Sequence, residues 1–223
     1  MYPGPVTQNR KAEVAATTVR PSSDELHDAL YSSGFSDVNM TLLRLLVEGR
    51  RNGRVRIIDM QPRIIEKRLP GSGASLLGPG AQGTGQSVSI GFNLDEDQPV
   101  ARKVNPLGDP SAKEYFGSSF FADSSTELGR VEQEIYRIAA RTLACDVKWA
   151  LLVKLVVPDV DPSTTMIEVV DNGGLPFRTT ALLYDSSGIL PDRSRYSEIY
   201  QYELNQLDYR SAKFRRVNNL DGW

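Results

Sequence analysis

The stretch GPGAQGTGQ, beginning at Gly78, carries the spacing G-x-G-x-x-G at Gly78, Gly80 and Gly83. That spacing can cradle a pyrophosphate when a strand precedes it and a helix follows, because the helix N-terminus then turns free N–H groups toward the phosphate. Here the chain continues as SVSIGFNL, where Val88, Ile90 and Phe92 alternate with Ser87, Ser89 and Gly91 in the manner of a strand. Pro79 stiffens the centre of the motif, and Asp95 closes a strand instead of opening a second βα unit. The glycines therefore read as a loop joining strands, and no dinucleotide or other cofactor is expected.

Other chemistry is equally sparse. Asn93, Asp95 and Asp97 match the first three ligands of a calcium loop, but Gln98 and Val104 stand where glycine and a bidentate glutamate are needed. A solvated turn is expected, and no metal site. Cys145 and His27 are the only residues of their types, so neither an internal disulfide nor a multi-histidine or cysteine-rich metal centre can form. Cys145 falls on the apolar face of a strand shared with Val147, Trp149, Leu151 and Val153, where a thiol behaves as a small inert hydrophobe. No G-x-S-x-G, G-x-x-x-x-G-K-[ST] or H-E-x-x-H occurs. No catalytic residue is nominated.

Two basic clusters remain. Arg50, Arg51, Arg54 and Arg56 surround Asn52-Gly53, and Arg210, Lys213, Arg215 and Arg216 lie in the tail. In the tail Tyr209 and Phe214 interleave with the charges, the mixture that interface hot spots favour. The candidate partner contacts are Tyr200, Tyr202, Tyr209, Phe214, Arg215 and Trp223. A formal charge of -2 makes no global electrostatic bid for nucleic acid, so a protein partner is the expectation.

These residues need elements to position them. With 40% hydrophobic and 24% charged residues, 223 residues suit one substantial domain with appendages. No run of about 18 apolar residues exists to span a bilayer, and the N-terminus as written lacks a signal peptide, so the chain is expected to be soluble. Residues 1–21, with Pro3, Pro5 and Pro21 and few large apolar groups, read as a flexible arm. Residues 22–37 predict a short helix, with Ser22 and Glu25 as a capping box and an end near Gly34, followed by a linker.

Residues 38–184 predict a mainly-β, sandwich-like domain of immunoglobulin-like architecture, because short strands are separated by Gly, Pro and Asn turns. Asn52-Gly53 predicts a hairpin between TLLRLLV and VRIIDM, and Pro62 an edge or bulge position. TTMIEVV, DNGG and FRTTALLY predict a second hairpin-like unit. Residues 126–143 fit either a helix or a strand begun at Val131, with Ile135 or Tyr136 facing inward. Residues 185–223 form an aromatic and basic C-terminal extension.

Four segments, VRIIDMQPRIIEKR, IGFNLDEDQPVARKV, LACDVKWALLVKLVV and IEVVDNGGLPFRTTALL, resemble in order and spacing an uncharacterised bacterial family of β-rich domains. Members of that family usually follow an N-terminal transmembrane helix, which is absent from the sequence as written, so that either the chain is a soluble offshoot or its true start lies upstream, the second case carrying the envelope location. The resemblance implies an envelope-associated β-sandwich and carries no functional residues. The leading expectation is a non-catalytic binding or structural module acting through protein–protein recognition. Two alternatives stand beside it: an enzyme whose site assembles only in three dimensions, and an intracellular regulator whose basic tail binds nucleic acid.

Overall fold

A computed structural model describes residues 1, 30–78, 89–105, 108–158, 163–171, 173–186, 188, 192–204 and 212–216. The chain is mainly β. In chain order the strands are β1 (Asp37–Val38), β2 (Met40–Glu48), β3 (Val55–Arg68), β4 (Ala74–Gly78), β5 (Ile90–Asn93), β6 (Arg102–Val104) and β7 (Phe116–Ser119). There follow β8 (Thr126–Leu128), β9 (Gln133–Arg141), β10 (Asp146–Val156), β11 (Thr164–Val169), β12 (Phe177–Thr180), β13 (Tyr196–Leu204) and β14 (Ala212–Arg216).

Among the described residues the strands form three sheets. A six-stranded sheet runs β1-β12-β10-β3-β8, with β11 also on β10. A five-stranded sheet runs β2-β9-β5-β6-β7, and a three-stranded sheet runs β14-β13-β4. One core cluster draws on both larger sheets: Val147, Trp149, Leu151 and Val153 of β10 meet Ile90 and Phe92 of β5 and Tyr136 and Ile138 of β9. The strict alternation along β10 puts these apolar groups on one face, as its sequence pattern demands. A second, smaller cluster joins Ala74 and Leu76 of β4 to Tyr196 and Ile199 of β13. The C-terminal extension is thereby built into the molecule through β13.

The Asn52-Gly53 hairpin does not form. β2 pairs with β9, and β3 pairs with β10 and β8, so residues 49–54 cross from one large sheet to the other. Val47 and Ile57 each have core to bury, and putting them in different sheets lets both contribute to the shared cluster. Gly53 does not adopt a positive φ, so the feature that recommends a type I′ turn is not used.

The second hairpin is corrected in the same way. β11 and β12 both run antiparallel to β10, one against Leu151–Val156 and the other against Asp146–Trp149. They occupy successive stretches of one edge, with Asp171 and Gly174 turning the chain out between them. The hairpin partner of β11 is β10.

Residues 126–143 hold two strands, so the helical reading is overturned. Nine consecutive cross-strand partners link β9 to β2, and this long-range ladder outweighs the local helical composition. Val131 lies in the preceding turn at φ 62 and is 75% exposed, while Tyr136 points inward. Pro62 sits opposite Leu151, and β3 has no second partner there among the described residues, an edge-type setting for a residue that lacks an N–H. Leu30–Ser32 are helical and end as expected at Gly34. Phe35 N–H donates to Leu30 O at 3.1 Å and Gly34 N–H to Tyr31 O at 2.9 Å, with Gly34 at φ 97.

Candidate functional site

A cleft of about 820 Å³ lies over one end of the six-stranded sheet, where β12, β10 and β3 meet the start of β4. Its floor is set by register. Across the three strands one row reads Arg178, Lys148, Glu66, and the next reads Thr180, Asp146, Arg68. These side chains lie on the face of β10 opposite Val147 and Trp149, so the alternation that builds the core also presents the charges.

Two of the three cations are matched. Lys148 Nζ donates to Glu66 Oε2 at 2.5 Å, and Arg68 Nε donates to Asp146 Oδ2 at 2.9 Å. Arg68 also lies 3.2 Å from Glu66. The Lys148 hydrogen bond and charge hold the Glu66 carboxyl below its usual value, and the Asp146 carboxylate raises the Arg68 guanidinium. Arg178 makes no ion pair among the described residues. It is held instead by Tyr31, whose ring centre lies 5.2 Å from the guanidinium carbon and whose hydroxyl accepts the Arg178 backbone N–H. Burial, and then the charge of Asp37, pushes the Tyr31 phenol well above its usual value.

Hydroxyls of Ser33, Ser36, Ser72 and Thr180 also line the cleft, with apolar wall from Ala74, Pro176 and Met1. The Met1 α-amino group donates to Ser36 O, and loss of solvation pushes it down to about 5, so it adds little charge at neutral pH. Asp37 is not among the described lining residues; its carboxylate accepts from Thr41 at 2.7 Å. Guanidinium, ammonium and hydroxyl donors converging on a concave surface can hold an anion.

A second feature is the outer edge of the five-stranded sheet. β2 pairs only with β9 among the described residues. Its outward positions are Leu42, Arg44 and Leu46, with Leu42 62% and Leu46 54% exposed. Leu46 stands opposite the exposed Ile135, and Arg44 opposite Arg137.

The residues singled out from sequence are distributed differently. Tyr200 is half-buried on β13, where its hydroxyl donates to Glu198 Oε2 at 2.9 Å. The β13–β14 register sets Tyr202 opposite Phe214 and Gln201 opposite Arg215. Tyr209 and Trp223 lie outside the described residues, as do His27, Arg210 and the glycines from Gly80 to Gly85. In the first basic cluster, Arg50 pairs with Glu48 at 3.3 Å and Arg54 with Glu127 at 3.1 Å.

Asp95 stabilises a turn: its carboxylate accepts from Thr142 Oγ1 at 2.6 Å and from Leu143 N–H at 2.8 Å. Cys145 precedes β10 and is half-buried against the main core. Burial first, then Asp95, raises its thiol pKa.

Sequence reasoning missed the cleft. Its charges come from strands far apart in the chain, and the only local signal was the polar alternation of Asp146 and Lys148 along β10. No family model, curated protein or solved structure matches this chain.

Proposed function

We propose that the chain is a non-catalytic binding module that recognises a protein partner, and that β2 is its principal contact edge. The observation that carries this reading is the outer side of a nine-residue strand that has no pairing partner among the described residues and bears exposed Leu42 and Leu46. A long apolar edge invites strand addition, because its free backbone groups can pair with an incoming segment while pockets beside them sort its side chains. Arg44, next to Arg137, favours a partner segment that mixes acidic and apolar residues.

The aromatic and basic extension offers a second edge at β14, which pairs only with β13 among the described residues. Tyr200, Tyr202, Tyr209, Phe214, Arg215 and Trp223 remain its proposed contacts. The fold carried with this reading is a β-sandwich of immunoglobulin-like type. The resemblance noted above adds an envelope location, for which cell fractionation with a C-terminal tag is the check.

The test compares the full chain with a Leu42→Lys, Leu46→Lys double variant as immobilised baits. Both positions are exposed, so the variant is expected to melt within a few degrees of the parent. Loss of the captured protein, with the melting temperature retained, supports the edge. Equal capture by both baits overturns it.

A further inference from the structure

From the cleft floor, which is separate from the β2 edge and does not rest on that reading, we propose a binding site for a small carboxylate ligand. The floor of β12, β10 and β3 carries Arg178, Lys148 and Arg68 against Glu66 and Asp146, an excess of one positive charge within these three strands, while the Asp37 carboxylate of the adjoining β1 reaches Tyr31 and further disfavours a multiply charged anion. The excess is localised. Glu66 takes Lys148, Asp146 takes Arg68, and the Arg178 guanidinium makes no ion pair among the described residues.

The location of that excess is costly without a ligand. Arg178 and Lys148 are direct cross-strand partners on an antiparallel ladder, and like charges placed so are destabilising. An anion lying between the two cations removes the repulsion and gains charge-assisted hydrogen bonds.

The geometry selects the anion. The Arg178 guanidinium packs against the Tyr31 ring, which restricts its motion and presents a planar fork suited to two parallel bonds to a carboxylate. A single excess charge complements a monoanion. A phosphate dianion would exceed it and would face Asp146, which lines the same cleft. Beyond the charged floor, Ala74 and Pro176 offer apolar wall to a short hydrocarbon chain, so the ligand class is a small amphiphilic carboxylate.

The experiment titrates the ¹⁵N-labelled full chain at pH 7 with hexanoate, its neutral analogue hexanamide, and inorganic phosphate. Hexanoate is expected to shift the amides of Arg178, Lys148 and Thr180 saturably in the millimolar range, at least about tenfold more tightly than hexanamide. Arg178→Gln is expected to weaken hexanoate by about tenfold or more while the melting temperature stays level or rises, because the like-charge pair is gone. Arg178→Lys keeps the charge without the fork and is expected to fall between, which preserves the test if the glutamine variant folds poorly. Absence of saturable shifts, equal binding of hexanamide, tighter binding of phosphate at the same amides, or undiminished hexanoate binding by both Arg178 variants overturns the proposal.

Discussion

Thr179 of β12 and Thr41 of β2 bring their hydroxyl oxygens to 2.7 Å across the two larger sheets, and both residues are buried. The direction of this bond follows from its neighbours. Trp149 Nε1 donates to Thr179 Oγ1 at 3.0 Å, and Thr41 Oγ1 donates to Asp37 Oδ2 at 2.7 Å. Each hydroxyl has one proton, so Thr179 donates to Thr41, and the chain runs from indole to carboxylate with every donor used.

Breaking that chain has a defined consequence. Thr179→Val leaves the fully buried Trp149 N–H without its acceptor, at a cost of about 1–3 kcal/mol. Adding Thr41→Val should cost less than its separate effect, since its donor is already lost. Chemical denaturation of the two single variants and the double variant measures this. Strict additivity, or a loss from Thr179→Val below about 0.5 kcal/mol, contradicts the chain.

Gly49 and Gly53 flank the crossover and should respond in opposite ways. A Cβ on Gly49 would lie 2.1 Å from the backbone oxygen of Gly129, whereas one on Gly53 would meet nothing within 4 Å. Gly49→Ala is expected to destabilise by about 1–3 kcal/mol through forced backbone displacement. Gly53→Ala should stay within about 0.5 kcal/mol of the parent. Equal responses in a denaturant series would show that the crossover is a loose loop.

Cys145 should react slowly. Burial and the neighbouring Asp95 charge raise its pKa, so less thiolate is present near neutral pH than for a free thiol. Labelling by a thiol reagent at pH 8 is expected to be slower in the native protein than in denaturant. A native rate equal to the denatured one would mean that the start of β10 is open.

The Glu66–Lys148 pair sets an acid-side response. Because the folded Glu66 carboxyl is lowered, its stabilising contribution is present above the unfolded value and fades as pH falls through the lowered folded value. Carbon-detected titration of the Glu66 side chain should give a midpoint below that of an ordinary glutamate, returning toward normal in Lys148→Met. Both side chains are partly exposed, so raised salt should narrow the difference. A midpoint that Lys148→Met leaves unchanged would contradict the pairing.

The sequence patterns that proved readable are those set by a short period. Alternation along Val147, Trp149, Leu151 and Val153 identified β10 and its buried face, and the positive φ of Gly34 ended the first helix where its glycine lay. What local pattern could not supply was partner choice. Asn52-Gly53 is a strong turn signal for adjacent strands, yet the flanking strands belong to separate sheets, because burial across the shared core outweighs the turn. DNGG likewise sits between two strands that share the β10 edge instead of pairing with each other.

The cleft was hidden for the same reason. Arg68, Asp146 and Arg178 become neighbours only through the registers of β3, β10 and β12. The exposed row on β2 was present in TLLRLLV, where alternate leucines face core and solvent, but the solvent face reads as core until its sheet is known.

The proposed recognition edge is tested most directly by a photo-crosslinking residue placed at Leu46 and, separately, at Leu69, which is 80% exposed. Irradiation in the native host is predicted to give a discrete protein adduct from position 46 and none of that size from position 69. The same adduct from both positions, or none from position 46, would contradict β2 as the site where a partner docks.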